Sequence, residues 1–302
     1  MENSTPKTIA TIGTFDGLHT GHRKVLEMLK NQAAVRGLRP LVITFDRHPL
    51  ETIQPDRAPG LILNPSQKIN ELWKEGLELY IVEFTPEVAS TTACEWMKKL
   101  RDEWGVGVLV VGYDNTFGSD GLDMDIDDYV RLGKEVGIEV IEAPLEKGVS
   151  SSRIRRLIAE GKIQEANAIL GRPFMISGRV VHGEALGRKL GFPTANVKPT
   201  YRAQLPLAGV YEAEALLDGG GSAKAVVNVG SKPTVGSNGA PTIEAHLIDF
   251  NSDLYDKRIS LRFKQFMRPE ICFPDLEALR SRIEKDVDLV KKSNGKSIEI
   301  WK

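Results

Sequence analysis

The sequence has little of what would commit it to a membrane, an oxidising compartment or a polyanion. Only two cysteines, Cys94 and Cys272, occur in 302 residues. They are far apart and outside any CxxC pair, which excludes a disulfide framework and a zinc knuckle. Lysine and arginine (40) almost balance aspartate and glutamate (41), for a formal net charge of −1. No whole-chain basic field is therefore available for nucleic acid or an anionic membrane, and any phosphate must be held by local arrangements. The most apolar stretch, VGVLVVG at 106–112, is far too short to cross a bilayer. The start, MENSTPKTIATIG, lacks the basic leader and long apolar core of a signal peptide. There is no internal repeat, no low-complexity segment and no Walker GxxxxGK[ST] pattern. A soluble, cytoplasmic protein that binds neither nucleic acid nor membrane is the expectation.

What is present divides into two textures, and the length suits two domains. In the first half, apolar runs stand at IATI (9–12), LVITF (41–45), LYIVEF (79–84), VGVLVV (106–111) and IEVIEA (138–143). Helical patterns separate them: one after Gly21 with Val25, Leu26, Leu29 and Ala33 on one face, then 65–76, 91–104 and 125–137. Continuous apolar strands alternating with helices imply a parallel sheet covered on both faces. From about residue 172 the pattern is antiparallel. GVYEAEALLDGGGSAKAVVNVG (209–230) reads as two strands around a glycine turn, and RISLRFKQF (258–266) alternates with period two. A helix with Leu276, Leu279, Ile283 and Val287 on one face closes the chain. Periodicity leaves a small barrel and a sandwich both open. The boundary is placed within 168–174, giving domains 1–170 and 171–302.

GTFDGLHTGHRKVL (13–26) sets two of the five histidines, His19 and His22, three residues apart where the first strand gives way to the first helix. Free backbone N–H groups and a positive dipole end gather at such a place, and open α/β sheets bind ligands there. The pair could be half a metal site, but no third ligand stands at suitable spacing. It could be purely structural. Two donors poised over phosphates fit the strand–turn–helix context best, with Gly21 letting a phosphate approach the backbone. VSSSRIRRLIAEGK (149–162) adds a serine-capped helix with Arg153, Arg155 and Arg156 in its first turn. Cations there oppose the helix dipole unless an anion is bound.

Residues 13–22 resemble the (H/T)xGH signature of nucleotidyltransferases. Together with TFDRHP (44–49), VVGYDNTFG (110–118) and VSSSRIR (149–155), they are similar to the adenylyltransferase module of bifunctional bacterial riboflavin kinase/FAD synthetases. The resemblance implies a Rossmann-like nucleotidyltransferase domain in which His19 and His22 act on the ATP phosphates. It implies nucleotide contacts from Gly13, Phe15, Asp16, Gly21, Gly112, Asp114, Phe117, Gly118, Ser150, Ser151, Ser152, Arg153 and Arg155, and flavin contacts from His48 and Pro49. The chain departs from the pattern at Asn115, Thr116, Ser119 and Asp120: many members follow the GxD with a basic or aromatic residue and place basic residues after the FG.

GEALGRKLGFPTANV (183–197) is, on composition, a glycine-rich turn with hard oxygen ligands at Thr194 and Asn196. It resembles the GxxxGxPTAN motif of riboflavin kinases, and VNVGSKPTVG (227–236), IEAHLIDF (243–250), DLYDKRISLRF (253–263) and MRPEICF (267–273) fit the same module. Leu186 stands where many members have arginine. By that resemblance the second half is a small antiparallel β-barrel with a C-terminal helix. Gly187, Gly191, Pro193, Thr194 and Asn196 would bind the nucleotide, Thr194 and Asn196 would hold Mg²⁺, and Glu244 would be the general base. The expectation is a transferase that phosphorylates riboflavin to FMN and then adenylylates FMN to FAD, with riboflavin, FMN and ATP as its small-molecule partners. The alternatives are a kinase with an impaired first domain and a non-catalytic flavin- or nucleotide-binding regulator.

Overall fold

The computed structural model describes residues 7–113, 116–183, 186–230 and 241–293. Contacts divide the chain into two compact units, Met1–Ser151 and Ser152–Lys302.

The first unit is a parallel sheet of β1 (Thr8–Ile12), β2 (Arg39–Phe45), β3 (Glu78–Val82), β4 (Val106–Val111) and β5 (Glu139–Glu142), in the order β3-β2-β1-β4-β5. Helices α1 (Thr20–Arg36), α2 (Pro49–Ile53), α3 (Pro65–Lys74), α4 (Pro86–Ser90), α5 (Ala93–Trp104) and α6 (Ile126–Val136) connect them. Every residue of β1 is buried, as expected of a central strand covered on both faces. One face carries Ile12, Ile43 and Leu109 against Trp96, Met97 and Leu100 of α5. The other carries Ile9, Val42 and Val110 against Leu26 and Leu29 of α1 and Leu72 of α3. Glycines stop the helices where the sequence places them: Gly37 (φ 65°) takes the left-handed cap after α1 and bonds back to Ala33. The chain lays down β2 and β3 on one side of β1, then returns to its other side for β4. The carboxyl ends of β1 and β4 therefore form a topological switch point, where the connections part and leave a crevice.

The second unit opens with α7 (Ser151–Ala159), whose first residue belongs to the first unit, and α8 (Ile163–Leu170). Strands β6 (Phe174–Val181), β7 (Ala195–Pro199), β8 (Gly209–Leu217), β9 (Ser222–Gly230), β10 (Thr242–Leu247) and β11 (Arg258–Arg268) then close a barrel in the order β10-β7-β6-β11-β8-β9. Short α9 (Leu186–Lys189) precedes β7, and α10 (Leu276–Lys292) ends the described chain. Closure settles the choice between barrel and sandwich and leaves no free edge. The alternation read in β11 holds, with Ile259, Leu261 and Phe263 buried. Helix α8 is bonded to the barrel: Asn167 Nδ2 donates to the Phe263 carbonyl at 2.9 Å, and its Oδ1 accepts from Phe174 N–H at 2.6 Å. Outside the barrel, the buried Asp286 of α10 takes two bonds from Arg268, at 2.9 and 2.7 Å.

Candidate active sites

In the first unit the chain leaves β1 through Gly13, whose N–H donates to the Ile43 carbonyl at 3.0 Å. It then reverses through three left-handed residues, Phe15 (φ 50°), Gly17 (φ 84°) and Leu18 (φ 43°). Such angles are strained for phenylalanine and leucine and persist only when the surroundings over-determine them. Those surroundings are visible. The Asp16 carboxylate accepts from Ile62 N–H at 3.0 and 3.2 Å and from Leu63 N–H at 3.3 Å. Ser151 Oγ donates to the Asp16 carbonyl at 2.9 Å. Asp16, assigned to nucleotide binding by resemblance, also holds the turn with its carboxylate.

His19 follows as the N-cap of α1, its Nδ1 accepting the His22 N–H at 3.2 Å. The two imidazoles stack, 3.6 Å between centroids and 15° from parallel, and Phe15 meets His22 edge-on at 5.2 Å. Gly21 fits the same close packing: a Cβ there would stand 3.2 Å from the His19 ring and 3.3 Å from Val149, tighter than ordinary contact. His19 is buried, and His22 is half-buried with its Nδ1 buried and unpartnered among the described residues. Burial pushes the His22 pKa well below the usual imidazole value, and the charges of His19 and Lys68 push it the same way. A neutral imidazole at neutral pH keeps one donor and one acceptor nitrogen.

His48 caps α2, its Nδ1 accepting from Leu50 N–H at 3.2 Å, while Glu51 accepts the His48 N–H at 3.1 Å and Pro49 takes the first helical position. A small cavity bounded by Thr14, Asp16, Asp46, His48 and Lys68 lies beside it. Gly112 is buried just after β4, next to β1 in the sheet. Phe117 stacks on Tyr129 at 4.7 Å, and Gly118 (φ 92°) lies against Ala93 so closely that a Cβ would collide with its backbone. Two of the departures have local tasks: Asp120 accepts the Ala93 N–H at 2.8 Å at the start of α5, and Ser119 N–H donates to Thr91 at 2.9 Å. Thr116 is exposed. Asp114 and Asn115 lie outside the described residues. Ser150 is half-buried in the first unit; Ser152, Arg153 and Arg155 begin the second, with Ser152 and Arg153 exposed and Arg155 half-buried.

In the barrel, antiparallel pairing sets Glu244 of β10 directly opposite Asn196 of β7 and Asn228 of β9. Thr194, just ahead of β7, donates its hydroxyl to Glu244 Oε2 at 3.4 Å. The fold therefore brings together three residues that sequence resemblance assigned separately. Gly183 has no room for a side chain, because a Cβ would overlap Asn196, and Gly187 packs against the Phe192 carbonyl and Thr194. Gly191 takes a left-handed conformation (φ 90°), and the Pro193 carbonyl is 2.9 Å from His246 Nδ1. Beside this cluster a cavity of about 500 Å³ is bounded by Arg188, Thr194, Leu247, Asp253 and Tyr255. Glu184, Ala185 and 231–240, parts of the two quoted kinase motifs, lie outside the described residues. Among the described residues no group of three His, Cys, Asp or Glu side chains is placed to hold a metal.

Lys68 escaped sequence reasoning. It sits 7% exposed on α3, one helical turn before the buried Leu72, and a lysine on the core-facing stripe of an amphipathic helix is the available signal.

The comparisons with known proteins cover both units. A riboflavin kinase family model matches residues 170–294 and an FAD synthetase model matches residues 1–154. The bifunctional riboflavin kinase/FMN adenylyltransferase of Pseudomonas fluorescens is 38% identical over 92% of this chain and 90% of its own length. The proteins of that name from Escherichia coli K12 and Bacillus subtilis are 36% and 35% identical, over 92% and 93% of this chain and 90% of their own. A crystal structure described as a macrolide-efflux protein from Streptococcus pneumoniae matches with a TM-score of 0.84 and 30% identity, over 97% of each chain. No helix among the described residues is long and apolar enough to cross a membrane. The chain is an enzyme of the bifunctional riboflavin kinase/FMN adenylyltransferase family.

Proposed function

We propose that the barrel unit phosphorylates riboflavin to FMN and that the parallel-sheet unit adenylylates FMN to FAD. One observation carries the reading: Glu244 stands opposite Asn196 and accepts from Thr194 in the barrel, while His19 and His22 stack just after β1 in the first unit, which supports one phosphate chemistry for each. In the barrel, Glu244 accepts the proton of the ribityl 5′-hydroxyl as that oxygen attacks the γ-phosphorus of ATP and ADP leaves. Thr194 and Asn196 present oxygen donors beside Glu244, a set that fits Mg²⁺ carrying the ATP phosphates. A bound Mg²⁺ would be held by those two residues and would offset phosphate charge. The adjoining cavity, of about 500 Å³, is large enough for a nucleotide.

In the first unit an FMN phosphate oxygen attacks the α-phosphorus of ATP and pyrophosphate leaves. No side-chain nucleophile is needed, so catalysis rests on positioning and charge stabilisation. His19 and His22 stand at the switch point, and His22 has a buried ring nitrogen with no partner among the described residues to compete for it. Gly13, Phe15, Asp16, Gly21, Gly112, Asp114, Phe117, Gly118, Ser150 and Ser151 make up the nucleotide site of this unit in this reading, with Asp16 also holding the turn; Ser152, Arg153 and Arg155, assigned by the same resemblance, belong to the second unit. His48 and Pro49 line the flavin side. In the barrel the flap residues Gly187, Gly191 and Pro193 cover the nucleotide. Function divides at 170/171, and the enzyme works in the cytoplasm. Purified protein given riboflavin and Mg²⁺-ATP is expected to yield FAD, resolved by chromatography. FMN alone would leave a kinase, and neither product would overturn the reading.

A further inference from the structure

The ladder between β1 and β2 runs from Thr8 opposite Arg39 to Ile12 opposite Ile43, and the Gly13 bond to Ile43 ends it. Beyond that point the chain after β1 turns away, and Lys68 bridges what the ladder no longer joins, beside a single bond from the Thr44 hydroxyl to the Thr14 carbonyl at 3.4 Å. Its ammonium donates to the Thr14 carbonyl at 3.1 Å, to Thr44 Oγ1 at 3.1 Å and to the Phe45 carbonyl at 2.8 Å. An ammonium has three N–H bonds, and these three contacts use them all. Lysine is almost never this buried unless its charge is compensated. Here the Asp16 and Asp46 carboxylates attract it from the segments after β1 and β2.

The placement of the three acceptors gives the ammonium a function. Thr14 leads directly into the turn that carries His19 and His22, and Phe45 leads directly into the segment that carries His48 and Pro49. Resting on the adenylyl-transfer reading above, we infer that Lys68 is a positioning residue for that reaction, fixing the spacing between the phosphate-side turn and the flavin-side turn. Burial holds its pKa down at about 8, against the pull of Asp16 and Asp46, so the clamp changes charge within an accessible pH range. The titratable groups facing it are Asp16 after β1, Asp46, Arg47 and His48 after β2, and His22 on α1.

The test measures FMN adenylylation by the full chain from pH 6.5 to 10 in wild type, Lys68→Met and Lys68→Arg, with riboflavin phosphorylation by the same samples as a control. Misplacement by about 1 Å can cost about 10²-fold, so Lys68→Met should lower kcat for adenylylation by about that factor while phosphorylation holds. Wild-type adenylylation should fall as the pH rises through about 8, and Lys68→Arg, which stays charged, should lack that limb. The same deprotonation relieves a buried charge. Thermal stability relative to Lys68→Met should therefore rise across pH 8–10 while activity falls, so the alkaline loss of activity is not a loss of fold. FAD from wild type with an unchanged kcat in Lys68→Met, or the same alkaline limb in Lys68→Arg, would overturn the inference alone. No FAD from wild type would overturn the adenylyl-transfer reading and this inference with it.

Discussion

His19 and His22 lie ring on ring, 3.6 Å apart, with the His22 N–H bonded to the ring it stacks on. The i, i+3 spacing at a helix start makes the arrangement, after a turn that reverses through the left-handed Phe15 and Leu18. In the reaction proposed for this unit, both imidazoles would act on the ATP phosphates. His22→Ala should lower FAD formation from supplied FMN by roughly 10²-fold or more, the scale for a transition-state donor. Riboflavin phosphorylation should be unchanged; equal loss of both in parallel assays would make His22 a structural residue.

The depressed pKa of His22 has a consequence for stability. An unfolded imidazole titrates at about 6.5, and the folded one below it. As the pH falls, the unfolded chain takes up the proton first. The contribution from His22 is therefore complete above about pH 6.5 and is lost as the pH falls through the folded value. Melting curves between pH 7.5 and 5 should show a steeper loss in wild type than in His22→Gln. Parallel curves would contradict the buried, neutral imidazole.

Asp120 departs from the basic residue common in the family, and its carboxylate is bonded to the Ala93 N–H at the start of α5. Asp120→Ala should cost about 1 kcal/mol, the usual value of a helix cap, and lower the melting midpoint by about 2–4 °C. FAD formation at 25 °C should stay within about twofold. A large loss of activity with no change in midpoint would instead place Asp120 in the nucleotide site.

Segment 152–170 gives a prediction about where the barrel can be cut. Ile163, Ala166 and Leu170 of α8 are fully buried, and Asn167 is bonded to β11. Burying an isoleucine or leucine contributes about 1.5–3 kcal/mol each. Both 152–302 and 171–302 are expected to fold, with the longer fragment more stable in urea by several kcal/mol. Equal midpoints would show that α8 adds nothing to the barrel.

The parallel half was legible because strands buried on both faces, such as IATI and VGVLVV, leave continuous apolar runs. The histidine pair was legible because its geometry is local. Barrel closure was not, since alternation along one strand reports which side is buried and says nothing of which strands meet. Thr194 and Glu244 are 50 residues apart and meet through the β7–β10 pairing, so only family resemblance linked them beforehand. Arg268 and Asp286 have no local pattern at all. Lys68 was hidden for another reason: on an amphipathic helix a single lysine reads as solvated until its three acceptors are seen.

The central claim is one reaction for each unit, and a crossed pair of variants tests it most directly. Glu244→Gln, given riboflavin and Mg²⁺-ATP, should form no FMN but still convert supplied FMN to FAD. His22→Ala should accumulate FMN and stop there, and a mixture of the two should make FAD from riboflavin as FMN released by one variant is adenylylated by the other. Product chromatography reads all three. If either variant loses both activities together, or the mixture yields no FAD, the assignment of one reaction to each unit is contradicted.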